Sequence, residues 1–128
     1  MAAKKRYRLG DLQLTILKVL WEPGPSTVAD VHAATEASRS LAYTTVATML
    51  RKMEARGLVD RREDGRKFID SAAVAEEAIS TSMADDVLER LFEGSLSDMV
   101  SHLLRTREIS AGELEELERL IQESRKRS

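Results

Sequence analysis

Leu41-Ala42-Tyr43-Thr44-Thr45-Val46-Ala47-Thr48-Met49-Leu50-Arg51-Lys52-Met53-Glu54-Ala55-Arg56-Gly57, continuing as Leu58-Val59-Asp60-Arg61-Arg62-Glu63-Asp64-Gly65-Arg66-Lys67-Phe68-Ile69-Asp70, decides the fold of this chain. In the first part Val46, Met49, Leu50 and Met53 recur at helical spacing and Gly57 supplies a stop, which predicts a helix over 43–56. The second part reads as two short strands, 58–62 and 66–70, joined at Glu63-Asp64-Gly65, because Asp-Gly is among the strongest short hairpin signals. Four cations, Arg61, Arg62, Arg66 and Lys67, flank the turn.

Two shorter helices precede this stretch. Leu9, Leu12, Ile16, Val19 and Leu20 form one stripe over 9–21, and Glu22-Pro23-Gly24-Pro25 ends it, since proline biases its predecessor away from helix and Gly-Pro forces a turn. A new start follows, with Ser26 or Thr27 as cap, Asp30 three residues beyond Thr27, and Val28, Val31 and Ala34 or Thr35 as a short apolar stripe. Three helices and then a hairpin with a basic tip make a winged helix-turn-helix, assigned to residues 1–71. The fold class is therefore mainly α with a small β-hairpin.

Beyond residue 71 the composition shifts to helix formers. Ile79, Met83, Val87, Leu88 and Leu91 run up to Gly94, Leu96 to Leu104 follow, and Ser110-Ala111-Gly112-Glu113 has the spacing of a capping box that opens a last helix with Leu114, Leu117, Leu120 and Ile121. These helices are too short and too few to form a core alone. Residues 72–128 are accordingly read as a dimerisation region, with Val87, Leu88, Leu91, Leu96, Met99, Val100, Leu103, Leu104, Leu117, Leu120 and Ile121 pairing two copies; the alternative is a tail folded back on its own winged domain.

The formal charge of −2 conceals an asymmetry: residues 1–70 carry 13 Lys/Arg against 9 Asp/Glu, and residues 71–128 carry 7 against 13. A basic front and an acidic back suit a protein that sets one end on a polyanion. The absence of cysteine removes disulfides, thiolate nucleophiles and thiolate metal sites. His32 and His102 have no carboxylate at a metal-motif spacing, and neither a glycine-rich phosphate loop nor a nucleophile elbow occurs, so neither an enzyme nor a cofactor or metal is expected. With no apolar run near 20 residues and no apolar segment behind the basic start, a cytoplasmic location is expected, without membrane contact.

In a helix-turn-helix the second helix of the motif lies in the major groove. Here that helix is the third, and its outward face holds Tyr43, Thr44, Ala47, Thr48 and Arg51. Threonine exchanges hydrogen bonds with bases and phosphates and its methyl meets the thymine methyl, while arginine prefers guanine or phosphate. Arg61, Arg66 and Lys67 are the wing residues assigned to double-stranded DNA, since a two-stranded ribbon cannot point all four cations one way. Lys4, Lys5, Arg6 and Arg8 read as a flexible arm adding phosphate contacts. A transcriptional repressor is the leading reading; a winged-helix protein-interaction module without sequence-specific DNA binding competes with it.

The stretch Leu41 to Leu50, with Gly57-Leu58-Val59 and Asp64-Gly65-Arg66, resembles the penicillinase-repressor family of BlaI, MecI and CopY type. Val19-Leu20-Trp21 with Gly24-Pro25, Leu91-Phe92-Glu93-Gly94-Ser95-Leu96, and Leu114-Glu115-Glu116-Leu117 extend the resemblance over nearly the whole chain. It implies a dimeric bacterial repressor, as in regulators of beta-lactam resistance, whose third helix reads the groove, whose wing touches the backbone and whose C-terminal helices interlock. It also implies a regulatory protease as partner, since induction in the beta-lactam-responsive members follows clipping in the dimerisation region. The Asn-Phe pair cleaved there falls on His102-Leu103 here, a departure at the cleavage site itself. The cysteine-rich motif of the copper-responsive members is absent.

Overall fold

The computed structural model describes residues 6–128 as α1 (Asp11–Trp21), α2 (Val28–Glu36), α3 (Tyr43–Ala55), β1 (Val59–Asp64), β2 (Lys67–Ala72), α4 (Glu76–Phe92), α5 (Leu96–Thr106) and α6 (Ala111–Arg127). The expected order is present, with an antiparallel hairpin as its only sheet among the described residues.

Local chemistry explains each boundary. At the start of α1 the Gly10 N–H donates to Gln13 Oε1 at 3.0 Å. Its end is set by Gly24, whose φ of 124° no ordinary side chain adopts readily and whose N–H returns to the Val19 carbonyl at 3.2 Å. Thr27 and Asp30 form the capping box that the spacing predicts: Thr27 Oγ1 accepts from the Asp30 N–H at 3.1 Å and Asp30 Oδ2 from the Thr27 N–H at 3.2 Å. Gly57, at φ 78°, turns the chain out of α3 into the hairpin.

The strands are longer than expected at their far ends. Asp64 pairs with Lys67, so the turn is the dipeptide Gly65-Arg66 and Glu63 and Asp64 belong to β1. Gly65 has φ 65° at the first turn position, the place a type II′ hairpin gives to glycine.

The core comprises Ile16, Leu17 and Leu20 of α1, Val31 of α2, Val46, Leu50 and Met53 of α3, Leu58 and Val59 at the hairpin's root, and Ile79 of α4. Each is at most 3% exposed, and full burial of such a side chain stabilises a fold by about 1.5–3 kcal/mol. Ile79 is the informative member. With Val74 and Met83 packed against the same cluster, and the Trp21 indole N–H donating to the Val74 carbonyl at 2.9 Å, the first compact unit extends to Asp86 and not merely to residue 71. The first part of α4 therefore completes the winged core.

The second compact unit is Val87–Ser128. Ser95 caps α5 by accepting from the Asp98 N–H at 3.2 Å, and Ser110 caps α6 by accepting from the Glu113 N–H at 3.1 Å. On α6, Arg119 bridges Glu116 and Glu123 one turn to either side, and its hydrogen bond holds the Glu116 carboxyl below the usual carboxylate range. No residue of α5 or α6 is buried.

Candidate nucleic-acid interface

Burial of Val46, Leu50 and Met53 fixes which way α3 faces, and the opposite side presents Thr44, Thr45, Thr48 and Lys52 to solvent. These four and Met49 line one shallow depression. Thr44, Thr48 and Lys52 lie one turn apart along the helix, so they form a single row of two hydroxyls and an ammonium. Lys52 and Thr45 were not among the expected contact residues, although Lys52 continues the four-residue spacing of Thr44 and Thr48. Ala47 is half-buried at the edge of this face.

The start of α3 is also open to an anion. Ala42 at the N-cap has no capping side chain and the first turn has no acidic residue, which leaves the positive end of the helix uncompensated. By contrast, α2 begins with a satisfied capping box and Asp30 in its first turn. The connection into α3 is held from α2: His32 Nε2 lies 2.7 Å from the Leu41 carbonyl and 3.3 Å from Glu36 Oε1. The His32 ring meets the Tyr43 ring edge-on at 5.8 Å, which orients a phenol that is 49% exposed.

An open cleft of about 390 Å³ lies between the start of α2, Tyr43 and the wing, and Tyr43, Arg61 and Lys67 come together around it with Thr27, Asp30 and Phe68. Partners on the ladder share a face, so Arg61 stands with Asp70 and Val59 on one side, and Arg62 with Ile69 on the other. The Arg61 guanidinium stacks 3.8 Å over the Phe68 ring, which holds it flat and leaves its edges free to donate. Arg62 lies 4.0 Å from Asp64. Arg66 is exposed at the tip of the turn.

Arg51 is placed differently from the expectation. It shares the helix face of Thr44 and Thr48 by position, but its guanidinium is engaged: one arm pairs with Glu54 at 2.6 Å and another with Asp70 of β2, which is fully buried. One arm of the half-buried guanidinium is thus held by the wing and the other by its own helix. The N-terminal arm is likewise tied down where the structure describes it. Arg6 lies 3.6 Å from Asp86 and the Tyr7 N–H donates to Ser82 Oγ at 2.8 Å, both on α4. Arg8 is exposed, and Lys4 and Lys5 lie outside the described residues.

The residues expected to pair two copies are grouped in the second unit. Of the eleven large apolar side chains that are exposed among the described residues, nine belong to it, from Val87 and Leu91 to Leu120 and Ile121. Leu88, Met99 and Leu117 are half-buried, and none of the group is buried. His102 and Leu103 are exposed residues inside α5, where the His102 ring also meets Phe92 at 5.7 Å. Among the described residues no group of three or more His, Asp or Glu is arranged to hold a metal ion, and no helix is long and apolar enough to cross a membrane.

The family model described as "Penicillinase repressor" matches residues 9–123. The chain is 32% identical over 121 residues to the transcriptional regulator BlaI of Mycobacterium tuberculosis, covering 93% of this chain and 86% of that protein. It is 24% identical over 124 residues to the penicillinase repressor of Bacillus licheniformis, with 97% of each covered. Among solved structures, the DNA-binding domain of the repressor BlaI superposes with a TM-score of 0.51 at 22% identity, over 59% of this chain and 93% of that one. The Bacillus licheniformis BlaI monomeric form, solved with the blaP half-operator, gives a TM-score of 0.50 at 22% identity over the same shares.

Proposed function

Because the chain belongs to the penicillinase repressor family, whose members are winged-helix DNA-binding repressors and not enzymes, we propose that it acts as a homodimer on a palindromic operator. The row formed by Thr44, Thr48 and Lys52 carries the reading: a solvated helix face of small hydroxyl groups and one cation, beside an uncapped helix start, fits a major groove. Tyr43, Thr45 and Ala47 border it, and Arg61, Arg66 and Lys67 supply phosphate contacts from the wing. Arg51 is engaged with Glu54 and Asp70.

The second unit supplies the mate. Its helices bury nothing of their own, and a two-fold partner would cover Leu91, Leu96, Val100, Leu103, Leu104, Leu120 and Ile121 with the same residues of another copy. Two winged units then meet half-sites about 34–36 Å apart, or a multiple of that. One such unit has too few contacts to hold an operator at cellular salt, so whatever weakens the dimer derepresses the promoter. The His102–Leu103 bond, on which the resemblance sets the family's clipping position although the residues differ from Asn-Phe, lies inside α5; cutting it would separate Leu103 to Ile121 from the rest of the interface.

A gel shift at two salt concentrations tests the proposal, with a duplex enriched from a random pool by the full chain set against an unselected duplex. The enriched duplex should bind roughly a thousandfold or more tightly than the unselected one, and both affinities should fall steeply with salt. Failure to bind any duplex in a salt-dependent way would leave the protein-interaction module as the better reading.

A further inference from the structure

Asp70 is the one described side chain that combines complete burial, a charge and an unsatisfied polar atom: Oδ1 accepts from Arg51, while Oδ2 has no hydrogen-bond partner. It also stands where three elements meet. Its backbone N–H donates to the Ser26 carbonyl at 2.8 Å and its carbonyl accepts from the Ser26 N–H at 2.9 Å, which ties β2 to the entry of α2; its side chain ties β2 to α3. Arg61 is its direct partner on the ladder but is engaged with Phe68, and Glu54 holds the Arg51 guanidinium from the other side.

Stability alone does not account for this arrangement, because a buried ion pair is often matched or exceeded by apolar residues of similar volume. What the pair supplies is direction. A guanidinium shared between Glu54 of α3 and Asp70 of β2 satisfies both only at one setting of the helix against the wing. Arg51 lies three residues from Thr48 and seven from Thr44, so a tilt of α3 about this point carries the hydroxyl row with it.

We propose that the Arg51–Asp70 pair is a positioning device that holds α3 and the wing at the relative angle at which both engage one duplex. This deepens the DNA-binding reading above and rests on it. Neither residue touches DNA; their effect passes through the Thr44–Thr48 row and through Arg61 and Lys67.

The test uses the full chain and a duplex it enriches from a random pool. In R51M/D70V, which removes both charges, the circular dichroism spectrum and melting midpoint should match the unmodified chain. Its affinity for the enriched duplex should fall tenfold or more, that for an unselected duplex should stay within about twofold, and the salt slope on the enriched duplex should drop by about one as a wing contact is lost. R51K keeps the charge but not the fork, so it should lose selectivity at least threefold and serves as the measure if the double variant does not fold. Unchanged selectivity and salt slope in R51K, or in a folded double variant, would overturn the proposal. A pool from which the unmodified chain enriches nothing would overturn the DNA-binding reading and this proposal with it, whereas enrichment followed by unaltered variants would overturn this proposal alone.

Discussion

Leu91 is 72% exposed, the largest exposure among the apolar residues of the second unit, and Leu91→Ser tests the proposed dimer without removing any residue of the winged core. Full burial of a leucine stabilises by about 1.5–3 kcal/mol, so covering the exposed part of Leu91 contributes about 1–2 kcal/mol in each copy. A two-fold interface counts the residue twice, for about 2–4 kcal/mol per dimer. At about 1.4 kcal/mol per tenfold, the dissociation constant should rise roughly 30- to 700-fold. Sedimentation velocity over a concentration series measures this directly. The circular dichroism of the variant, taken where both proteins are monomeric, should be unchanged, because a surface substitution costs no more than about 0.5 kcal/mol in the fold. Operator affinity should fall with dimerisation and recover at higher protein concentration. A variant that dimerises within twofold of the unmodified chain would refute the reasoning, since the most exposed leucine would then lie outside the interface.

Ile79→Ala should cost about 2–5 kcal/mol in thermal unfolding of the winged unit, because Ile79 is a fully buried member of its apolar core; a loss under 1 kcal/mol would remove α4 from that core. Thr27→Ala should cost about 0.5–2 kcal/mol in the same measurement by breaking one half of the α2 capping box, with Thr27→Asn recovering most of it. Lys67→Ala should weaken binding to enriched and unselected duplexes alike and reduce the salt slope by about one, whereas Thr48→Ala should cost about 1–3 kcal/mol on the enriched duplex only; equal losses on both duplexes for both variants would reject this division of labour. Arg119→Gln should reduce the helical signal at pH 7, with the difference from the unmodified chain shrinking as the solution is acidified: the Glu116 carboxyl is depressed, so its contribution is present above the unfolded value and disappears as pH falls through the folded one.

The winged order was legible because its signals are local. Pro23 and Gly24 end α1, Thr27 and Asp30 cap α2, Gly57 stops α3, and Asp64-Gly65 marks the hairpin to within a residue. What the sequence could not supply is which apolar or charged side chain meets which distant one. Arg51 fits a row with Thr44 and Thr48 by spacing, and only the folded chain brings it to Asp70, nineteen residues away, while Lys52 continues the exposed row. Ile79 and Leu91 belong to one amphipathic helix, and periodicity does not distinguish the part covered by the protein's own core from the part left bare. The N-terminal basic residues read as a free arm because their anchors, Ser82 and Asp86, lie far along the chain.

The central claim is that the Thr44–Thr48–Lys52 face reads bases, and a complete set of single-base-pair variants of an enriched operator tests it most directly. Measured with the unmodified chain and with Thr48→Ala, the account predicts that selectivity collapses at one or two base pairs, placed symmetrically in the two half-sites, with all other positions read as before. A uniform loss across every position, or no loss anywhere, would contradict it.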